Sequence, residues 1–175
     1  MSTRMPRVVG RWIVGAALVG GMMGAMATAA QADVTKRPAG TAPDGQQVDL
    51  YTLKNKRGMT ARILTYGAIL QYMSVPDRRG RARNITLGFD DLAGYVENNT
   101  GEGTTYFGAT IGRYANRIGG ASFTLDGVRY NLPANNGPAT LHGGPNGFHT
   151  KVWDATAVSS KRGPGVKLSY TSPDG

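Results

Sequence analysis

Alternation of apolar and polar residues is the main regular pattern in this chain, and it recurs in short runs with a period of two. Such runs are typical of β-strands that bury one face and expose the other. Residues 48–53 and 60–66 alternate in this way, and the polar residues 55–58 between them favour a turn. This part of the chain therefore predicts a β-hairpin.

A second hairpin is predicted where Asp126-Gly127 separates residues 122–125 from residues 128–132. An Asp-Gly pair favours the type I′ turn, whose backbone twist matches that of the strands it joins. The dipeptide stands between two short alternating runs, so this is the clearest hairpin signal in the chain.

The remaining pattern predicts more strands and almost no helix. A single helical turn is predicted over residues 90–96, with Asp90 as its N-cap, and the segment is too short for more. Strands that recur about every ten residues with turn residues between them are typical of antiparallel sandwiches and barrels. We therefore predict an all-β fold, an antiparallel β-sandwich, to which the following runs also contribute strands: residues 68–75, 84–89, 152–158 and 166–170.

The N-terminus has the pattern of a secretory signal peptide. Residues 1–32 begin with a basic region, continue with an apolar stretch and end in Ala30-Gln31-Ala32, a small-x-small cleavage site. Four glycines interrupt the apolar stretch and a polar segment follows it, which favours a cleaved signal over a membrane anchor. We expect cleavage after Ala32 and a secreted or periplasmic protein with no attachment to the membrane.

Composition then divides the mature chain into two parts. Residues 33–46 contain almost no large apolar residue and are predicted to form a flexible N-terminal arm. Residues 47–175 carry the strand pattern and are predicted to belong to the sandwich. The chain ends in a turn signal directly after a strand, so we expect the sequence to be truncated and to lack the next strand.

Charge gives little support to a nucleic-acid partner. The formal net charge is +9, and the predicted signal removes three arginines and no acids, which leaves +6 over residues 33–175. The remaining cations are scattered apart from Arg78, Arg79 and Arg81, which lie in a predicted turn. A nucleic-acid surface needs clustered cations and stacking aromatic residues, and we expect none here.

The absence of cysteine excludes disulfides, Cys-ligated metal sites and a thiol nucleophile. No phosphate-loop, dinucleotide-binding or zincin motif occurs either. Two glycine-rich loops carry the remaining candidate chemistry, residues 112–120 with Asn116 and Arg117, and residues 141–148 with His142. Glycines let a ligand approach the backbone closely, and Asn, Arg and His offer directional hydrogen bonds to hydroxyl groups.

At these loops the sequence resembles the aldose 1-epimerases, also called galactose mutarotases. The resemblance begins near residue 48 and extends to residue 175. It rests on three motifs in order: Gly108-Ala109-Thr110-Ile111-Gly112-Arg113-Tyr114-Ala115-Asn116-Arg117-Ile118, then Phe123-x-Leu125-Asp126-Gly127-x-x-Tyr130-x-Leu132, then Leu141-His142-Gly143-Gly144. Each motif alone is weak, and their order and combined length are specific.

The resemblance implies a β-supersandwich about twice as long as the mature chain. It implies an enzyme that interconverts the α and β anomers of free hexoses such as glucose and galactose without metal or cofactor. A base removes the proton of the anomeric hydroxyl, an acid protonates the ring oxygen, and the opened sugar recloses as the other anomer. By matching position, Asn116, Arg117 and His142 would bind the sugar, while the acid His and the base Glu are expected beyond Gly175, so that no catalytic residue lies within this chain.

Other polar residues near these motifs are given simpler roles. We expect His149 to be a loop histidine without ligand contact, and Glu97 and Glu102 to be solvated loop residues. Arg113 is left without a catalytic role, since strand packing or loop support explains it equally well. Three aromatic residues are expected in the core rather than on a sugar-stacking surface: Phe123, Tyr130 and Trp153.

Two other functions remain open at this point. The same sandwich occurs in non-catalytic carbohydrate-binding proteins and in polysaccharide-active enzymes, and a fold alone does not separate them from an epimerase. A sugar-phosphate epimerase is a further alternative, in which Arg78, Arg79 and Arg81 would lie near a phosphate, although a tight polar turn explains these arginines more simply. A free hexose suits an exported protein better.

Overall fold

The computed structural model describes residues 33–101, 103–161 and 163–174. The predicted signal peptide, residues 1–32, lies outside these ranges. Over the described ranges, no helix reaches the length and hydropathy that crossing a membrane requires.

The largest element is an antiparallel five-stranded sheet in which the strands follow one another in chain order. The predicted hairpin at residues 48–53 and 60–66 is present as the second and third strands of this sheet. Register shifts interrupt the first and third strand pairs, between Pro38 and Gly40 and between Arg62 and Ile63. The five strands are β1 (Asp33–Thr41), β2 (Gln47–Lys54), β3 (Thr60–Leu64), β4 (Ile69–Pro76) and β5 (Ala82–Asn84).

The flexible arm predicted for residues 33–46 is wrong over residues 33–41, which form β1. The side chains of β1 are mostly exposed, as the polar composition suggested. The strand is held instead by its backbone hydrogen bonds to β2. Pro38 is tolerated because β1 is an edge strand and the register shifts beside this residue.

The strand predicted over residues 84–89 is wrong beyond Asn84, and the observed strand begins upstream at Ala82. β5 ends at Asn84, whose side-chain Oδ1 accepts hydrogen bonds from the backbone N–H and the hydroxyl of Thr86. These local bonds compete with the sheet ladder and end the strand. The next residues run as irregular backbone.

One short helix, α1 (Leu92–Asn98), covers one side of the sheet. Its N-cap is Asp91 rather than the predicted Asp90, and the Asp91 carboxylate accepts the N–H of Gly94 at 2.9 Å. Leu92 and Tyr95 bury their side chains against residues of β2, β3 and β4. The buried core contains Ala42, Val48, Leu50, Leu64, Tyr66, Ile69, Leu92 and Tyr95.

Three two-stranded ribbons follow the helix. In the second ribbon, Asp126 and Gly127 both have positive φ, 51° and 78°, which confirms the predicted type I′ turn. The ribbons pair β6 (Arg117–Ile118) with β9 (Thr140–Leu141), β7 (Ser122–Leu125) with β8 (Val128–Asn131), and β10 (Asp154–Ser160) with β11 (Gly163–Ser169).

The expected core position is wrong for Phe123 and Tyr130, which are 42% and 45% exposed. Their rings stack on each other with centroids 5.1 Å apart, because the two residues are cross-strand partners of the ribbon. The described residues do not bury this face of the ribbon. Trp153 fits the expectation better, since it is partly buried against Phe148 and Tyr170.

Backbone and side-chain bonds join the last ribbon to the sheet. The Tyr51 hydroxyl donates to the carbonyl of Ala155 at 3.1 Å, and the Trp153 N–H donates to the carbonyl of Thr65 at 2.9 Å. The Gly67 N–H donates to the carbonyl of Lys151 at 2.7 Å. Residues 142–153, which include the second candidate loop, are thereby fixed against the sheet at their C-terminal end.

Candidate functional site

The short ribbon of β6 and β9 brings the two candidate loops together. In its antiparallel register Arg117 is the partner of Leu141, and Ile118 is the partner of Thr140. Asn116 immediately precedes one strand, and His142 immediately follows the other. The three residues predicted to bind sugar therefore lie side by side at one end of the ribbon, although 26 positions separate Asn116 from His142.

Asn116 and His142 are joined by two hydrogen bonds. The Asn116 N–H donates to the imidazole Nδ1 of His142 at 3.0 Å, and the His142 N–H donates to the carbonyl of Asn116 at 2.9 Å. Both residues have left-handed backbone, with φ of 64° and 54°, a conformation that Asn and His adopt more readily than most residues. Because Nδ1 accepts, the neutral imidazole carries its proton on Nε2 and offers a donor there.

The surroundings favour this neutral form of His142. Partial burial of the ring and, second, the nearby guanidinium of Arg117 lower the pKa of His142 below its usual value of 6.5. At neutral pH the ring is uncharged, and its Nε2–H can donate to a sugar hydroxyl.

The guanidinium of Arg117 is oriented by two asparagines. Its Nε donates to Oδ1 of Asn136 at 2.8 Å, and its Nη1 donates to Oδ1 of Asn116 at 3.3 Å. The other guanidinium N–H groups have no acceptor among the described residues. The side chain is exposed, so these groups are accessible to a ligand.

The other candidates from the sequence lie outside this cluster. Arg113 donates to the hydroxyl of Ser172 and to the carbonyl of Pro173, which is a role in supporting a loop. Glu97 is exposed on α1, not in a loop as expected. Glu102 lies outside the described ranges. In the part of the chain that is described, no three His, Asp or Glu side chains are grouped as metal ligands.

His149 is a buried histidine beside this site. Its side chain is 1% exposed, and the buried Nδ1 has no hydrogen-bond partner within the described ranges. Burial is the largest cause that lowers the pKa of His149, to about 4, and the His142 imidazole and Lys151 lower it further. A hydrogen bond to the backbone of Asn99 acts in the opposite direction. The ring is therefore neutral in the folded protein above about pH 5.

This burial predicts a specific dependence of stability on pH. The pKa of His149 is near 6.5 in the unfolded chain and about 4 in the folded one, so the unfolded state binds more protons between these values. Stability is complete above pH 6.5 and is lost as the pH falls towards 4, by up to about 2 kcal/mol between pH 7 and pH 5. Urea unfolding at these two pH values should show this loss in the wild type and a smaller one in His149→Gln. Equal losses in both proteins would contradict the prediction.

Three residues of this region were not recognised from the sequence. Tyr106 packs its ring against both His142 and His149, while Asn135 and Asn136 make hydrogen bonds that hold the site together. The asparagines stand in a Gly-, Pro- and Asn-rich stretch, where Asn is expected as a turn former. The only sequence signal for them is their proximity to the Leu-His-Gly-Gly motif.

Comparison with known proteins supports the resemblance of these loops to the epimerases. The family model described as "Aldose 1-epimerase" matches residues 49–175, which is most of the chain. The chain belongs to the aldose 1-epimerase family. The residues that match the family model include all three residues of the candidate site, Asn116, Arg117 and His142.

Two curated members of the aldose 1-epimerase family have similar sequences. The galactose mutarotase of Bos taurus is 41% identical over 143 residues, which are 81% of this chain and 39% of the relative. The maltose epimerase of Levilactobacillus brevis is 40% identical over 140 residues, which are 80% of this chain and 39% of the relative. The chain thus spans about two fifths of the length of the curated relatives it matches.

A solved structure confirms the fold class. The galactose 1-epimerase from Lactobacillus acidophilus is similar with a TM-score of 0.66 and 26% identity, over 82% of this chain and 40% of that one. The prediction of an all-β, sandwich-like epimerase fold is therefore confirmed.

Proposed function

We propose that this chain supplies the sugar-binding half of an aldose 1-epimerase active site and that the whole protein interconverts the anomers of free hexoses. The observation that carries the proposal is the pairing of β6 with β9, which places Asn116, Arg117 and His142 together in a member of this family. Galactose and glucose are the proposed substrates. The names of the relatives support galactose and add maltose as a sugar to be tested.

The contacts of the site support a part for each residue in the proposed reaction. His142, neutral with its proton on Nε2, donates to a sugar oxygen. Arg117 holds a fixed positive charge next to the sugar ring. There it stabilises negative charge that develops on oxygen as the hemiacetal opens. Asn116 orients His142 through its backbone N–H and Arg117 through its side-chain oxygen. The acid and the base that move the protons remain assigned to residues beyond Gly175, on the resemblance alone.

Polarimetry tests the proposal directly. Freshly dissolved α-D-galactose, α-D-glucose and maltose are followed with two proteins, the 175-residue chain and the product of the longest open reading frame that contains it. We expect the longer product to accelerate mutarotation of at least one sugar, and the 175-residue chain to leave the spontaneous rate unchanged. A folded longer product without effect on any sugar would contradict the epimerase, and acceleration by the 175-residue chain would contradict the placement of the acid and the base.

We also propose that the protein is exported, with residues 1–32 as a cleaved signal. The basic start, the apolar stretch and the Ala30-Gln31-Ala32 site support this proposal. Mass spectrometry of the protein recovered outside the cytoplasm should find Asp33 as the first residue, whereas an intact Met1 would contradict export by this route.

A further inference from the structure

Tyr106 occupies a central position between the two histidines. Its ring centroid lies 4.8 Å from that of His142 and 4.8 Å from that of His149, and both contacts are edge-to-face, at 73° and 64°. The backbone of Tyr106 has a φ of 55°, which is unusual for a large side chain. Such strain persists where the surrounding contacts impose it, and it is often found at functional sites.

Asn135 fixes both Tyr106 and the strand that ends at His142. Its Nδ2 donates to the Tyr106 hydroxyl at 3.2 Å and to the carbonyl of Leu141 at 3.1 Å. Its Oδ1 accepts the N–H of Leu141 at 2.7 Å. The partly buried side chain of Asn135 thus binds both the N–H and the carbonyl of Leu141, the residue before His142. It also binds the hydroxyl of Tyr106, whose ring packs on His142.

These contacts bear on Nδ1 of the His142 imidazole, because its hydrogen bond decides which ring nitrogen carries the proton. The His142 Nδ1 must stay on the N–H of Asn116 if Nε2 is to carry the proton. Rotation of the ring would break this bond and allow the other tautomer to form. The Tyr106 ring lies against the imidazole, and Asn135 fixes the backbone from which the imidazole extends.

We propose that Tyr106 and Asn135 are positioning residues for His142, which keep its Nδ1 on the Asn116 N–H and its Nε2 proton directed to the sugar. The consequence for catalysis rests on the proposed function. The effect on the tautomer of His142 does not, and it can be measured without a sugar.

The experiment is ¹⁵N NMR of the histidine side chains at pH 7 in the 175-residue chain, produced without a histidine tag. The sequence contains two histidines, and His142→Gln identifies the signals of His142. In the wild type we expect the two ring nitrogens of His142 to differ widely in chemical shift, as one protonated and one accepting nitrogen. A galactose titration of the same samples measures binding.

Four variants separate positioning from folding. In Tyr106→Leu and Asn135→Ala we expect the two His142 nitrogen shifts to move towards each other, because both tautomers become populated. Tyr106→Phe keeps the ring and should retain most of the wild-type difference. Tyr130→Leu removes a tyrosine whose ring stacks on Phe123 in the β7–β8 ribbon, and it should leave His142 unchanged. Circular dichroism checks each fold, and Asn135→Ala carries the comparison if Tyr106→Leu does not fold.

The proposal is overturned if folded Tyr106→Leu and Asn135→Ala both keep the wild-type shifts of His142. It is overturned also if Tyr130→Leu moves them as much as Tyr106→Leu does. Where the wild type binds galactose, we expect Tyr106→Leu to weaken the affinity about 2- to 10-fold, the value of one aromatic contact. A wild type that shows the single tautomer and no galactose binding would establish the positioning result alone, and the proposed function would be decided separately by polarimetry of the longer product.

Discussion

Replacement of Arg117 or of His142 by alanine is expected to cost about 2 to 4 kcal/mol of transition-state stabilisation, a loss of about 30- to 1,000-fold in kcat/KM. Arg117 brings a permanent charge, and His142 brings a donor whose tautomer the Asn116 N–H fixes. Charge that develops on oxygen as the sugar ring opens is stabilised by such groups only if they are already in place. The effect should therefore fall more on kcat than on KM.

The measurement is the initial rate of mutarotation, followed by polarimetry over a range of galactose concentrations with the product of the longest open reading frame. Arg129→Ala is the matched control, because Arg129 is an exposed arginine of β8 whose bonds are to Asn131 and Ser122. We expect this control to keep the wild-type rate. Wild-type kcat/KM in both Arg117→Ala and His142→Ala would contradict their place in the sugar site.

The hairpins were predictable because their signals are local. Alternation over four to seven residues and the turn residues between the runs specify β2–β3 and β7–β8 without reference to the rest of the chain. Asp126-Gly127 even predicts the turn type correctly. Where short-range chemistry decides the structure, the sequence is sufficient.

The first strand, β1, was not predictable because its side chains carry no local signal for a strand. Residues 33–41 have the composition of a linker, and few of their side chains are buried. The order of β1 comes from its ladder with β2, which depends on backbone groups that every residue except proline carries in full. Such an edge strand leaves little trace in the pattern of side chains.

The site was predicted in part. Asn116, Arg117 and His142 were selected as candidates because their motifs resemble those of a family. Tyr106 and Asn135 were not, since their contacts join segments 29 positions apart in the chain, and an isolated Tyr or Asn in a loop carries no such signal. Residues that act through another side chain are recognised only when the fold brings them together.

The largest effect on stability is expected from Gly143→Ala, in the loop that follows His142. Gly143 has a φ of 88°, and a Cβ added there would overlap the carbonyl group of Gly112 and approach the N–H of Arg113. Left-handed backbone costs an alanine about 1 to 2 kcal/mol, and forced overlap with backbone that cannot rotate away costs about 1 to 3 kcal/mol more. We expect a loss of about 2 to 5 kcal/mol in the free energy of unfolding, a large part of the stability of a small domain.

The neighbouring Gly144 supplies the control, because it separates the backbone conformation from the overlap. Its φ is 82°, but an added Cβ would meet its nearest atom, a methyl of Thr140, at an ordinary 3.6 Å. Urea unfolding should therefore show about 1 to 2 kcal/mol lost in Gly144→Ala, from the backbone alone, and clearly more in Gly143→Ala. Equal losses in the two variants would mean that the 112–113 backbone can move away from residue 143. The close approach of the two candidate loops would then not be a rigid feature of the site, and the fixed geometry of Asn116 and His142 would have to come from their own hydrogen bonds.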